Sequence, residues 1–135
     1  MDTALKTLQT LREDYARFPR DQTYSLYAEN VHFKDPMSDF RGRRKFQAMI
    51  GFMHTAFLNC KMDLHHIEQH EDLIRMDWTL SWNTPLPWKP RIAIPGWSEL
   101  RLNPEGTIVS QVDYWRCSRL DVLKQHFQFK KNKPA

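Results

Sequence analysis

The hydrophobic period of this chain changes near residue 60, and that change constrains the fold more than any other feature. Before it, apolar residues recur at steps of three and four. One such stripe comprises Leu5, Leu8, Leu11, Tyr15 and Phe18, and a second comprises Phe46, Met49, Ile50, Met53 and Phe57. Steps of this size place side chains on one face of an α-helix. The sequence therefore predicts two amphipathic helices, the first ended by Pro19 and the second spanning residues 43–58.

After residue 60 the period becomes two. In residues 72–82 every second residue is large and apolar, namely Ile74, Met76, Trp78, Leu80 and Trp82. Alternation of this kind predicts a strand with one buried face. Similar patterns predict strands over 91–102 and 107–117, and Ser118 is placed to cap a final helix over 118–127. Helices followed by a run of strands predict an α+β fold, in which helices pack on one face of a curled antiparallel sheet and leave a cavity.

The segment between the two early helices is harder to interpret. Residues 23–30, TYSLYAEN, predict a short helix, and residues 31–35 predict a short strand. A proline and a glycine then mark residues 36–42 as a loop. Nothing in this region interrupts the domain.

Length and composition favour one domain with a cavity. The chain has 135 residues, of which 41% are hydrophobic and 13% aromatic. We predict a single domain over residues 1–129, followed by a basic, disordered tail over 130–135. The aromatic content is sufficient for a core and for the walls of a pocket.

Charge and targeting signals indicate which classes of partner and which cellular compartment the sequence favours. The net charge is +4, but part of this excess lies in the terminal segment FKKNKPA, so the sequence does not favour nucleic-acid binding. No apolar run approaches the ~20 residues of a membrane span. The first ten residues do not resemble a signal peptide, and the two cysteines are far apart, so we expect a cytoplasmic protein with free thiols.

Two segments resemble a known superfamily. YSLYAENVHFKDP followed by FRG, and later LRLNPEGTIVSQVDYW, are similar to the superfamily named after nuclear transport factor two. Its members include ketosteroid isomerase and the SnoaL-like polyketide cyclases. The likeness covers nearly the whole chain. Within the superfamily, the chain resembles an uncharacterised family of cyanobacteria and plants. It implies a cystatin-like, cone-shaped roll with a pocket at one end, a fold that serves enzymes and non-enzymes alike.

The resemblance also implies catalytic positions. Ketosteroid isomerase combines an Asp general base with a Tyr and a protonated Asp that form an oxyanion hole. By position the base falls on Asp35 and the second donor on Ser98, which is not an acid. Tyr15 is the nearest phenol on the first helix. The SnoaL-like cyclases imply an Asp on the late strand, for which Asp113 is the candidate.

The residues themselves leave the role of Asp35 open. Alternation places it on the same side as Val31 and Phe33, so its carboxyl should point inward, where burial would raise its pKa. An Asp before a proline is also a frequent turn-former that accepts backbone N–H groups. The sequence supports either a general base or a turn cap.

Strict alternation in the last strand predicts that Asp113 faces away from the pocket. The inward set would be Ile108, Val112 and Tyr114, unless one β-bulge reverses the pattern. We predict that the pocket is lined by Phe33, Phe46, Met53, Trp78, Trp82 and Tyr114. The outer sheet face, with Val109, Trp97 and Trp115, is a candidate homodimer interface.

The segment HHIEQH, residues 65–70, does not favour a metal site. On a strand His65 and His66 point to opposite faces, and His66 and His70 are ~13 Å apart. We expect no metal and no cofactor.

Two function classes follow. The first is a domain that binds a small apolar ligand or a protein partner without catalysis, which the residues favour because only the base position is well matched. The alternative is a cofactor-free isomerase, dehydratase or cyclase, with Asp35 as general base and Tyr15 or Ser98 as hydrogen-bond donor.

Overall fold

The computed structural model describes residues 3–128, so the predicted tail over 130–135 lies outside the described residues. Within these residues, three α-helices and six strands follow one another. In order they are α1 (Thr3–Ala16), β1 (Tyr27–Asp35), β2 (Ser38–Arg41), α2 (Arg43–Ala56), β3 (Leu58–His70), β4 (Leu73–Asn83), β5 (Arg91–Leu102), β6 (Ile108–Trp115) and α3 (Arg119–Gln125). Within the described residues, no helix is both long and apolar enough to span a membrane.

The six strands form one sheet in the order β2-β1-β6-β5-β4-β3. Strands β1 and β6 pair in parallel, and all other neighbours are antiparallel. Helices α1 and α2 contact β3, and α2 also contacts β1, so both helices lie against the sheet. This arrangement confirms the predicted α+β fold.

The predicted helix over residues 23–30 is wrong. Only Tyr24–Leu26 form a single 3-10 turn, and β1 begins at Tyr27. Tyr27, Val31 and Phe33 are all buried in the core, at 6%, 1% and 1% exposure. Pairing with β6 begins at Tyr27 as well, so tertiary contacts override the local helical pattern.

The loop predicted after Asp35 contains a further strand. Asp35 and Ser38 close a tight hairpin over Pro36 and Met37, and β2 then pairs with β1 up to Arg41. Because β2 is the edge strand of the sheet and only four residues long, its burial alternates weakly and gives little sequence signal.

Helix α3 closes the far end of the sheet, and its predicted Ser cap is confirmed. Ser118 Oγ accepts the Asp121 N–H at 2.9 Å, while Asp121 Oδ2 accepts the Ser118 N–H at 2.9 Å. The Gln125 side chain then bonds both backbone groups of Ala93, at 2.7 and 3.0 Å. These bonds hold α3 against β5.

Strand β6 contains a β-bulge that reverses the predicted orientation of its side chains. Leu102 pairs with Ile108 and Arg101 with Ser110, so Val109 is an extra residue in β6. Beyond the bulge, the odd-numbered positions 111, 113 and 115 face the concave side. The prediction that Asp113 faces away, with Val112 and Tyr114 inside, is therefore wrong, although Ile108 is buried as expected.

Tyr114 and Trp97 lie on the outer sheet face instead. Their rings stack at a centroid distance of 4.8 Å, and the guanidinium groups of Arg75 and Arg116 lie 5.1 and 4.6 Å from the Trp97 ring. Trp115 lines the cavity on the opposite side, so it does not belong to this face. The homodimer through the outer face stays a prediction.

Gly96 permits the close packing of β4, β5 and β6. A Cβ atom at this position would collide with the Tyr114 carbonyl oxygen and would lie 2.8 Å from the Trp78 ring. Only a residue without a side chain lets the Trp78 ring lie across β5 here.

We expect Gly96→Ala to lower the free energy of unfolding by about 1–3 kcal/mol, because neither the backbone carbonyl nor the buried ring can move freely. Chemical denaturation measures the change. The control is Gly51→Ala, at an exposed position of α2 where an added Cβ meets nothing within 4 Å. It should stabilise the protein by roughly 0.5–1 kcal/mol. Equal effects of the two substitutions would contradict this account of Gly96.

Candidate functional site

A cavity of about 720 Å³ lies between the helices and the concave face of the sheet. Its walls are largely apolar and rich in aromatic side chains, which include Tyr27, Phe33, Phe46, Trp78, Trp82 and Trp115. Met49 and Met53 of α2 add flexible thioether side chains. Of the residues predicted to line the pocket, five do so and Tyr114 does not.

The polar part of the cavity is built around Asp113. Asp113 Oδ1 accepts a hydrogen bond from Ser98 Oγ at 2.5 Å and another from Gln111 Nε2 at 3.0 Å. Ser98 is fully buried, and its Oγ accepts the indole N–H of Trp78 at 2.8 Å. Three neighbouring strands therefore hold one carboxyl through a connected chain of bonds.

Burial raises the pKa of Asp113 to about 7. The nearby carboxyl of Asp35 adds to this rise, whereas the bonds from Ser98 and Gln111 oppose it. Asp113 thus changes its charge near neutral pH, where an ordinary Asp is fully ionised. A group with this property can donate or accept a proton under cellular conditions.

Two phenols complete the cluster. Tyr15 reaches the cavity from α1, with Ser98 and Gln111 as its polar neighbours, and burial raises its pKa well above 10. Burial also raises the pKa of Tyr27. Both phenols are neutral at physiological pH and can act only as hydrogen-bonding groups.

Asp35 combines the two roles that the sequence left open. Its Oδ1 accepts the Met37 N–H at 2.8 Å, which stabilises the hairpin turn, and its carboxyl also lines the cavity. Burial raises its pKa, and bonds from Met37 and Ser38 oppose that rise. Asp35 is a turn cap whose carboxyl remains within reach of a ligand.

Helix α3 forms the rim of the cavity. Arg119 and Leu123 line this edge, as does His126, which follows the helix. The ring of His126 is fixed at both nitrogens, by Val122 O at 2.9 Å and by Thr84 Oγ1 at 2.8 Å. Arg119 is exposed and reaches the Pro36 carbonyl at 3.4 Å, across the mouth from β2.

The structure brings the four predicted catalytic residues to one place, since Tyr15, Asp35 and Asp113 line the cavity and Ser98 bonds Asp113. Sequence reasoning missed Gln111, which is only 4% exposed and whose Oε1 has no hydrogen-bond partner within residues 3–128. Its position two residues before Asp113 was the available signal, since both follow the same side of the strand.

The histidines of β3 lie outside this site. His65 bonds Thr79 Oγ1 at 2.8 Å, and His66 bonds Glu68 at 3.0 Å, both at exposed positions. Across residues 3–128, no group of three His, Cys, Asp or Glu side chains is arranged to hold a metal ion.

Comparison with models of protein families assigns the chain to one family. The family described as "Uncharacterized conserved protein (DUF2358)" matches residues 5–111, which is more than half of the sequence. The chain belongs to the DUF2358 family. A search of curated proteins found no match to this chain.

Solved structures confirm the predicted fold. A Shewanella denitrificans protein classed as a SnoaL-like polyketide cyclase is 18% identical, with a TM-score of 0.73 over 96% of this chain and 100% of that chain. A Catenulispora acidiphila protein with a ketosteroid isomerase-like fold, solved in complex with trimethylamine, is 17% identical, with a TM-score of 0.71 over 89% and 91%.

A third relative extends the range of activities on this fold. An epoxide hydrolase of the LEH-like type from M. tuberculosis is 13% identical, with a TM-score of 0.71 over 93% of this chain and 90% of that chain. Identities this low establish the shared fold of the DUF2358 protein and do not identify its ligand.

The raised pKa of Asp113 predicts a pH-dependent stability. The folded state keeps the Asp113 proton up to about pH 7, whereas the unfolded chain releases it near its ordinary value of 3.8. The free energy of unfolding should therefore fall as pH rises from 4 to 7. In Asp113→Asn the contribution of this carboxyl is absent, so we expect the decrease in the free energy of unfolding between pH 4 and 7 to be smaller by on the order of 1–3 kcal/mol. Denaturation measured at several pH values gives this difference.

Asp72→Asn is the matched control, because Asp72 is exposed and pairs with Arg101 at 3.1 Å on the surface. The free energy of unfolding of Asp72→Asn should change with pH as that of the wild type does. An Asp113→Asn curve parallel to that of the wild type would show that the carboxyl titrates normally.

Proposed function

We propose that this protein binds one small, largely apolar molecule in its cavity, with a polar group of the ligand directed at Asp113. The observation that carries the proposal is a cavity of about 720 Å³ with aromatic rings in its walls and a hydrogen-bonded polar cluster around Asp113. Pockets for small molecules combine these two features: apolar walls supply affinity, and a few polar groups fix orientation.

The binding proposal predicts saturable binding of 2-naphthol, an apolar probe with one hydroxyl group, measured by calorimetry. Met53→Trp should weaken binding by about tenfold or more, because the larger ring fills space that the ligand needs. Ala48→Trp is the matched control, since Ala48 lies on the same helix, is exposed and does not line the cavity. Absence of saturable binding, or equal affinities of the two variants, would contradict a ligand site in the cavity.

A second function is favoured by the titration of Asp113 near neutral pH. With a pKa of about 7, this carboxyl is suited to general acid–base catalysis of the cofactor-free isomerase, dehydratase or cyclase type. Asp35 is the other candidate base, and Tyr15 is the neutral donor on the same wall. Ser98 donates its hydroxyl hydrogen to Asp113, so it positions that carboxyl rather than contacting a ligand.

The catalytic alternative predicts that the cavity accelerates proton removal from 5-nitrobenzisoxazole. A base takes the proton of the ring C–H, the C–H electron pair forms the nitrile, and the N–O bond breaks to release a coloured phenolate. The rate should rise with pH through about 7 and fall about 100-fold or more in Asp113→Asn.

The variant Asp35→Asn shows which of the two carboxyls acts as the base. A larger loss in Asp35→Asn than in Asp113→Asn would assign the base to Asp35. A rate no higher than that of free acetate would leave ligand binding without catalysis as the function.

A further inference from the structure

The two cavity carboxyls have no basic partner. Asp113 is bonded by the neutral side chains of Ser98 and Gln111, and Asp35 by Met37 and Ser38 of its own turn. Within residues 3–128, no Lys or Arg side chain hydrogen-bonds or ion-pairs with either carboxyl. Arg119, the guanidinium nearest the mouth, instead bonds the Pro36 carbonyl. Once ionised, Asp113 is thus a half-buried charge that lacks a counter-ion among the described residues, an arrangement that proteins normally avoid.

A second acceptor lies beside Asp113. Gln111 is 4% exposed, its Nε2 donates to Asp113 Oδ1, and its Oε1 is buried with no hydrogen-bond partner among the described residues. Both bonds to Asp113 end on Oδ1, so neither occupies Oδ2. Because Gln111 Oε1 is enclosed by the protein, Asp113 Oδ2 is the acceptor that remains for a ligand, and an N–H donor of the ligand would satisfy it.

The aromatic walls favour the same kind of ligand. The faces of aromatic rings carry partial negative charge and attract a cation within about 6 Å of the ring centre. Trp78 joins the walls to the polar cluster through its bond to Ser98, and Tyr27 and Phe46 form a close pair at 4.7 Å. A cation in this space would lie among aromatic rings as well as beside a carboxylate.

We propose that the ligand of this cavity is an apolar molecule that carries a protonated amine, with an N–H group directed at Asp113. This inference rests on the binding function proposed above and specifies the chemical class of the ligand. The amine supplies the counter-ion that the chain does not, and the apolar part of the ligand lies among the aromatic rings.

The pH dependence of binding follows from the groups that face the site. They are Tyr15 from α1, Tyr27 and Asp35 from β1, Asp113 from β6, and Arg119 and His126 at the rim. Both tyrosines stay neutral, because burial raises the pKa of each. Asp113, which is half-buried, changes its charge near pH 7 because its pKa is raised to about 7, and the amine binds its ionised form.

The test compares 3-phenylpropylamine with 3-phenylpropan-1-ol, which have the same number of heavy atoms. The amine stays protonated up to a pH of about 10, as lysine does. Binding to the full-length protein is followed by the fluorescence of Trp78, Trp82 and Trp115, which line the cavity. At pH 8.5 we expect the amine to bind at least about tenfold more tightly than the alcohol.

Two variants and one change of pH make the comparison specific. In Asp113→Asn the ratio of amine affinity to alcohol affinity should fall to about one, whereas the surface variant Asp72→Asn should keep the wild-type ratio. Far-ultraviolet circular dichroism shows whether each variant is folded. Lowering the pH to 5.5 should weaken amine binding by about tenfold or more and leave alcohol binding unchanged, because binding must then displace the Asp113 proton.

The outcomes separate this inference from the binding proposal. If the alcohol binds as tightly as the amine, the cavity is a ligand site but the ligand is not a cation. If Asp113→Asn is folded and keeps the amine preference, Asp113 is not the group that recognises the amine and the inference is wrong. If neither probe binds, the binding function fails together with this inference.

Discussion

The β-bulge at Val109 is the constraint on which the site depends. Strand β6 lies at the centre of the sheet, between β1 and β5, and one extra residue shifts every later side chain to the opposite face. Without the bulge, Gln111 and Asp113 would lie on the outer face, and the cavity would contain Val112 and Tyr114. The sheet would still form, but its concave side would lose its titratable centre.

Trp78 and Ser98 connect that centre to the hydrophobic core. The indole N–H needs a buried acceptor, the Ser98 hydroxyl supplies one, and the same hydroxyl has a hydrogen to donate to Asp113. Gly96 leaves the room in which the Trp78 ring takes this position. Core packing and the polar site are therefore one structure, since the ring that fills the core also orients the serine that holds the carboxyl.

The sequence predicted the fold where the signals are local. The alternation of β4, the apolar stripe of α2 and the Ser118 cap each depend on neighbouring residues, and each was found as predicted. Tyr27 was misassigned because its conformation is determined by pairing with a strand about 80 residues later in the chain. The orientation of Asp113 could not be predicted, because a bulge depends on how three strands align and leaves no fixed sequence pattern. The sequence indicated both positions of Asp35, the turn from the proline that follows it and the inward orientation from alternation with Val31 and Phe33, but it could not show that one carboxyl does both.

Helix α3 has a consequence for how the cavity can open. Strand β6 ends at Trp115, so the edge of β5 near Ala93 has no neighbouring strand, and the amide of Gln125 bonds its N–H and C=O in place of one. Any outward movement of α3 from the rim breaks both bonds and exposes an unpaired strand edge, the kind of surface at which chains associate. Access to the cavity past α3 is therefore coupled to protection against aggregation: the side chain that helps hold the rim in place also shields the sheet from other chains.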